Sequence, residues 1–513
     1  MKLSRLLAPT SRNNPSKVRD EAAIRLVRGG YGLYEPSSEE LLLLPLGEVT
    51  LGNIFDLFDD LCRDEGGQSV DSASLPGGAL SIAVRIVKQE EQLPLLLFER
   101  RGRGLDLLSI DGASAPDPDG DPILERLGEE LRDRGLEPVL LEKEPGGTIR
   151  LALKGSPKAR RAVEGLVCPH CGWAGTAHSP APGRIVDYGP SQEALKEVRT
   201  PGADTIAELC RQLDLPPERT LKTMFYSLPA PDGEGRRVVV VLMRGDCKIS
   251  EAKVAAFFGV DEVRFATAVE LHETMGSLGG YLGPVGLPEG VTVIADENVQ
   301  GLADVAVGAN RADHHRTGAA WGRDFRAVVT DLIALEKGKP CPACGASLEE
   351  ATWRVIAERT PLGTLPEGMD LSYRDSDRKP RRPRLATTRL DAEALLMAFF
   401  DGDTLPLDIA PFQVLVTPWG EGESSSAEAA ESLHDELSEA GFAVLLDDRF
   451  AKAPLREADF DGLSLPVRIA LHDEADSVRA TLHIDGETAD LPLDDAAHFL
   501  FHALGGSCSC CDS

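Results

Sequence analysis

The same five-residue pattern, Cys-Pro-x-Cys-Gly, occurs twice in this chain, as Cys168-Pro169-His170-Cys171-Gly172 and as Cys341-Pro342-Ala343-Cys344-Gly345. The two copies bracket a unit that runs from about 187 to 335. The ends of an inserted domain usually lie close together, so the two knuckles can meet. Four thiolates, from Cys168, Cys171, Cys341 and Cys344, would then make a closed tetrahedral Zn2+ site of structural type. In a reducing compartment such pairs point to metal before disulfide. Zinc is the favoured reading, and four unligated thiols are the alternative. Cys62, Cys210 and Cys247 stand alone, and Cys508, Cys510 and Cys511 form a Cys-rich tail over 505–513 to which no role is assigned.

With 513 residues the chain is too long for one core, and three or four domains are expected. An apolar share of 42% with 27% charged residues is that of a globular protein. No apolar run is long enough to span a bilayer, and Met1-Lys2-Leu3-Ser4-Arg5 lacks the apolar segment of a secretory signal, so a cytoplasmic protein with no membrane partner is expected. A net charge of −30 argues against a large non-specific nucleic-acid surface but leaves room for a local basic groove.

Periodicity divides the chain further. Gly47–Cys62 carries Leu51, Ile54, Phe55, Phe58 and Leu61 at helical spacing, while Leu93–Phe98 and Val139–Leu141 read as short buried strands. In the second unit, Thr205–Leu213 and Ser250–Phe258 are predicted helices, the latter capped by Ser250, and Arg237–Met243 is a predicted buried strand. Pro366–Pro383 reads as an Arg/Asp/Pro-rich linker. From 406 to 504 strands (Phe412–Val416, Ala443–Leu446, Leu465–Leu471, Ala480–Ile484) alternate with helices (Ala427–Ala440, Asp494–Leu504), which predicts a small α/β domain.

Several motifs fall in one order: Leu221-Lys222-Thr223, Arg244-Gly245-Asp246, Gly280-Tyr281-Leu282-Gly283-Pro284, Gly308-Ala309-Asn310, then His315 and Trp321-Gly322-Arg323-Asp324-Phe325. In this order the stretch resembles the editing insertion domain of bacterial prolyl-tRNA synthetases, which is similar to free-standing aminoacyl-tRNA deacylases. The rest of the chain resembles the same class II family. Met1–Thr10, Leu44-Pro45-Leu46-Gly47 and Gln92-Leu93-Pro94-Leu95 are similar to its N-terminal body, and Ile409–Val414 and Val444–Arg449 to its anticodon-binding domain. The resemblance implies a multidomain α/β and α+β chain. Its parts would be a degenerate antiparallel-sheet core (1–186), an α/β editing insertion (187–335), a zinc knuckle with the remainder of the core (336–405), and an α/β anticodon-binding-like domain (406–504).

The chain departs from the family at its aminoacylation signatures. After Phe98-Glu99-Arg100 it passes directly into Arg101-Gly102-Arg103-Gly104, where the family carries a long loop that grips ATP. Arg100, Arg101 and Arg103 are the only cations there to substitute. The family's threonine-and-glutamate loop has no counterpart before Gln92. Arg389 aligns with the arginine of the third signature, but the glycines that admit ATP are absent, and Ala357-Glu358-Arg359-Thr360 replaces a histidine-containing segment. Loss of aminoacylation, with ATP and Mg2+ not used, is the expectation.

Hydrolysis of a mischarged tRNA needs water, stabilisation of an oxyanion and a small pocket. The resemblance assigns Lys222 and Gly280 to the chemistry. It assigns Gly283, Pro284, Gly308, Asn310 and His315 to the substrate pocket; Asp313, Arg323 and Asp324 read by residue type as holding loops through local hydrogen bonds. On residue type alone Lys222 is an edge lysine reaching solvent, and His315 is as readily a structural histidine, with His314 beside it. The substrate implied is alanyl-tRNA for proline, with cysteine also small enough. Arg456, and Arg381 with Arg382 in the Arg378–Arg384 stretch, are the candidates for tRNA phosphates, although Glu457 opposes the first. Partners would be tRNA and either a second copy or an active synthetase. Two other readings stand beside the deacylase: a divergent ATP-dependent ligase, and a non-catalytic tRNA- or synthetase-binding regulator.

Overall fold

The computed structural model describes residues 1–503 apart from 12, 16–17, 36, 38–39, 115–120, 157–161, 182–187, 231–234, 261, 277–280, 364, 366–367, 420–423, 450–455, 457–458, 460, 475–476 and 485. Gly280, the Cys508/Cys510/Cys511 tail, and Pro454, Leu455 and Glu457 therefore lie outside the described residues. The chain forms two compact units. One comprises Met1–Leu140, Arg150–Val163 and Thr352–Ser513; the other comprises Leu141–Ile149 and Glu164–Ala351. Among the described residues no helix is long and apolar enough to cross a membrane.

The larger unit is built on an antiparallel sheet. Leu95–Arg101 pairs with Gly104–Asp111, which pairs with Arg384–Asp391, which pairs with Glu349–Pro361. Gln68–Ser69 adds a parallel edge. Arg101 faces Gly104 in the register, so Gly102, at φ 58°, and Arg103 alone turn the chain. Against this sheet lies the long helix Pro45–Asp64. Proline suits its first turn, where the missing N–H has no partner to lose, and Leu46, Leu51, Ile54, Phe55, Phe58 and Leu61 recur on its buried stripe. Asp121 caps the helix Pro122–Asp133 by accepting from Ile123 and Leu124, and pairs with the buried Arg359 at 2.8 Å.

The stretch read as a linker is not one. Within it Tyr373–Arg374 pairs with Pro380–Arg381, and Leu371 and Tyr373 are buried against Leu97 and Ile110. Most of its charged residues face outward while these two supply core.

The last part of this unit is a five-stranded mixed sheet in the order Val444–Leu446, Val414–Pro418, Val467–Asp473, Val478–Ile484, Glu487–Pro492. The first two pairings are parallel and the rest antiparallel. Helix Ser425–Glu439 packs on it through Ala430, Leu433 and Leu437.

The smaller unit holds two sheets. Five strands run in the order Arg264–Phe265, Leu221–Pro229, Arg236–Arg244, Thr292–Asp296, Val328–Thr330, antiparallel at first and parallel at the end. Three run Lys196–Arg199, His314–Ala319, Val305–Gly308. Buried on both faces, Val239–Met243 has the continuous apolar run expected of a central strand. Both predicted helices form, Thr205 accepting from Glu208 N and Ser250 from Lys253 N at their N-termini. Each such cap contributes about 1 kcal/mol.

Candidate functional site

In the smaller unit a cavity of about 450 Å³ opens between the strand Leu221–Pro229, the start of helix Ile206–Leu213 and the Tyr281–Leu282 segment. Side chains alternate along that strand. Leu221 and Phe225 join the apolar cluster with Val240 and Leu242, whereas Met224 and Tyr226 pack on the other side with Val241 and Cys247. Lys222 falls in the second set and also borders the cavity. Its ammonium donates to the Cys247 carbonyl at 2.6 Å. Burial lowers the pKa of this half-buried lysine, while Cys247, Asp246 and Glu336 act to raise it. The lysine is therefore a fixed cation rather than a solvent-tracking one. The hydroxyl of Thr223, next in sequence, is shielded from solvent with no hydrogen-bond partner among the described residues, and Thr223 also borders the cavity.

Two segments predicted to shape the pocket interlock. At Gly283 a Cβ would lie 1.8 Å from Gly308 O, and at Gly308 a Cβ would lie 2.2 Å from Leu282 O. Only glycine permits that approach. Asn310, at φ 59°, accepts from Gly283 N at 2.7 Å and donates to Val285 O at 2.8 Å, and its own N–H donates to Tyr281 O. Pro284 is buried beside them. These four residues build the wall; Tyr281 and Leu282 are the ones that face the cavity.

Strand alternation separates the two histidines. His315 points inward and is 8% exposed, while His314 is turned toward solvent, its Nδ1 2.7 Å from Ala312 O. His315 Nδ1 lies 2.6 Å from Thr200 Oγ1, and its ring meets that of Tyr281 edge-on at 5.4 Å. Burial lowers its pKa, which favours the neutral imidazole at pH 7. Tyr281 itself sits at φ 58°, and its hydroxyl donates to Asp313 Oδ1 at 3.0 Å. Neither Tyr281 nor Thr200 is named by residue type; what places them is pairing across the unit. Asp313, which also accepts from Gly202 N, and Arg323, bound to Asp324, Ser191 Oγ and Glu193 O, tie loops together.

The two knuckles come together in this same unit. Cys168 Sγ lies 3.5 Å from Cys344 Sγ, Cys171 Sγ lies 3.8 Å from Cys341 Sγ, and all four sulfurs are within 4.8 Å of one another. None is in a disulfide. Tetrahedral Zn–S bonds of about 2.3 Å place sulfurs roughly 3.8 Å apart, so the donor set fits the ion. Cys168 and Cys341 are buried and the other two exposed, with Trp173, Leu335 and Leu348 packed around them.

The larger unit has a cavity of about 400 Å³ lined by Gly78, Glu99, Arg101, Asp106, Thr360 and Arg389 among others. Its charges are mutually engaged: Arg389 with Asp106 at 2.5 Å, Arg101 with Asp106 at 4.0 Å, and the buried Glu99 with Ser72 Oγ. Arg100 and Arg103 turn elsewhere, the first to Asp56 and Asp59, the second to Glu393. The phosphate candidates differ in fate. Arg456 is buried and donates to the Pro418 and Arg449 carbonyls, so it is a packing arginine here and not one presented to a phosphate. Arg381 pairs with Asp375 and Arg382 with Asp370, both at the surface.

Within the smaller unit, residues 200–325 match a family model described as the aminoacyl-tRNA editing domain. The remaining comparisons extend beyond that stretch. A proline–tRNA ligase from Moorella thermoacetica is 28% identical over 540 residues, covering 92% of each protein. Those from Burkholderia multivorans and Trichlorobacter lovleyi are each 34% identical, over 328 and 316 residues. These cover 61% and 59% of this chain but only 56% and 54% of the relatives, so the chain spans little more than half of their length. A solved prolyl-tRNA synthetase from Cryptosporidium parvum overlaps at a TM-score of 0.46 with 11% identity, covering 96% of this chain and 78% of that one, a likeness that bears no weight of its own. The chain is thus similar in sequence to bacterial proline–tRNA ligases, and within it residues 200–325 match the aminoacyl-tRNA editing domain.

Proposed function

We propose that this protein is an aminoacyl-tRNA deacylase that hydrolyses alanyl-tRNA for proline, with proline activation lost. One observation carries the reading: the stretch matched by the editing-domain model encloses a cavity bordered by the fixed cation Lys222 and the inward, neutral His315. A cation at a developing oxyanion is worth several kcal/mol in such a site. His315, Tyr281, Leu282 and Phe265 are among the residues that line the pocket, a setting suited to a small apolar side chain. Zn2+ would be held by Cys168, Cys171, Cys341 and Cys344 and would supply structure only.

The tight turn at Gly102–Arg103 and the mutual engagement of Arg101, Asp106 and Arg389 support the loss of ATP chemistry. A second reading, an active proline–tRNA ligase, is favoured by the match to a ligase over 92% of the chain and by the open cavity in the larger unit. The deciding experiment follows alanyl- and prolyl-tRNA hydrolysis by the wild type and Lys222→Ala, beside ATP-dependent charging with proline. Alanine-selective hydrolysis abolished by the substitution, without charging, is the expected result. Robust charging would establish the second reading instead.

A further inference from the structure

The four-cysteine site and Lys222 are joined through a short, heavily bonded piece of backbone. Lys222 donates to the Cys247 carbonyl, in a loop that begins at Arg244 and is closed by Cys247 N donating to Arg244 O. Arg244 grips Asp246 through two bonds, at 2.6 and 3.0 Å, and Gly245 N donates to Thr220 O. The other side of this loop is held by the strand segment that leads into the second knuckle. Ala334 N donates to Lys248 O at 2.8 Å, Glu336 pairs with Lys248 at 2.6 Å, and Lys339 Nζ reaches Asp246 O at 3.4 Å.

The two ends of this segment are anchored differently. Before Ala334, Lys253 fixes it by pairing with Asp331 and donating to Ile333 O. Beyond Glu336, the backbone is tied only to its own knuckle: Gly338 N to Leu348 O, Leu348 N to Lys339 O, and Cys341 N to Ala346 O. The chain just after the first knuckle meets the segment too: Leu335 N donates to Ala177 O, Ala181 N to Asp331 Oδ2, and Leu335 and Leu348 pack with Cys168 and Trp173. At the knuckles themselves the four sulfurs converge at separations that fit one ion between them.

We infer that Zn2+ at Cys168, Cys171, Cys341 and Cys344 positions the Arg244–Lys248 loop, and through it the Lys222 ammonium, so that the metal is a positioning cofactor of the hydrolytic site and not merely a fastener. The inference rests on the deacylase and zinc readings above. Lys248, Glu336 and Lys339 are the positioning residues that transmit it. Carboxylate placement is part of the effect, because Glu336 and Asp246 both help keep Lys222 charged.

The test uses the full chain. Metal content is measured as isolated and after stripping with a thiol reagent and chelator. Amide hydrogen exchange at Asp246, Cys247 and Lys248 is then compared with kcat and KM for alanyl-tRNA hydrolysis. One zinc per chain is expected, with stripping speeding exchange at those amides. It should lower kcat by about 10- to 100-fold, the cost of a small misplacement of a reacting group, with KM changed less. Added Zn2+ should reverse both. The double substitution Lys248→Ala/Lys339→Ala should keep its zinc yet show the same loss of kcat. If stripping unfolds the unit, this double variant decides. Absence of bound zinc, or full kcat with unchanged exchange in the double variant, overturns the inference. If the zinc-loaded wild type hydrolyses no aminoacyl-tRNA, the deacylase reading fails, while exchange at 246–248 still decides the coupling.

Discussion

The cavity bordered by Lys222 in the smaller unit and the one bordered by Arg389 in the larger have nearly the same volume, about 450 and 400 Å³, yet their charges are spent differently. In the larger, Arg389 and Arg101 both turn to Asp106, and Glu99 is bound by Ser72. In the smaller, the Lys222 ammonium is bonded to the neutral Cys247 carbonyl and makes no direct ion pair among the described residues, although burial lowers its pKa. A cation paired with a carboxylate contributes little field to a third group, whereas one held by a backbone oxygen still does. Volume alone would have ranked the two sites as equals; what separates them is how each cation is neutralised.

The comparison can be broken most directly at Lys222. Lys222→Ala should reduce alanyl-tRNA hydrolysis by about 10²- to 10³-fold, the usual cost of removing a group that stabilises an oxyanion. A drop of less than threefold would leave the smaller cavity no better equipped than the larger. The converse test is proline-dependent ATP–pyrophosphate exchange, where no signal above background is expected; exchange that disappears in Arg389→Ala would show that the Asp106 pairing opens for substrate.

Gly308→Ala sharpens the contrast at the wall. A methyl there meets the Leu282 carbonyl, so the Tyr281–Leu282 face must shift. Destabilisation of about 1–3 kcal/mol is expected by urea titration, with a larger KM for the aminoacyl-tRNA. The smallest effect concerns His315. Its folded pKa is lowered, so the unfolded chain binds the proton more readily. The stabilisation is complete above the unfolded value of about 6.5 and is lost as the pH falls toward the lowered folded value. Melting temperatures of His315→Gln should therefore depend less on pH than those of the wild type between about pH 5 and 7.

Much of the fold was legible because it is local. Ser250 and Thr205 cap the helices they precede, and Val239–Met243 is buried throughout, as its composition demands. The knuckles were legible for the same reason, since each Cys-Pro-x-Cys-Gly carries its own turn. What escaped was decided at long range. In the Pro366–Pro383 stretch two apolar residues among charges, Leu371 and Tyr373, were enough to enter a core. Arg456 reads as a basic surface residue, yet carbonyls of Pro418 and Arg449 draw it inside. Tyr281 borders the site in a left-handed conformation held by Asp313, a pairing across 32 positions that no local pattern signals.

The meeting of the two knuckles has a thermodynamic side. Sulfurs separated by 170 and 176 positions in sequence come within bonding range of one ion. A cross-link closing a loop of that length removes much of the freedom of the denatured chain, an entropic term of about 5 kcal/mol if it behaves as a disulfide would. Such a term acts on the unfolded ensemble, whatever contacts the native unit makes. With the ion bound, the unit would melt as a closed ring rather than as an open strand, and its melting temperature would follow the free zinc concentration.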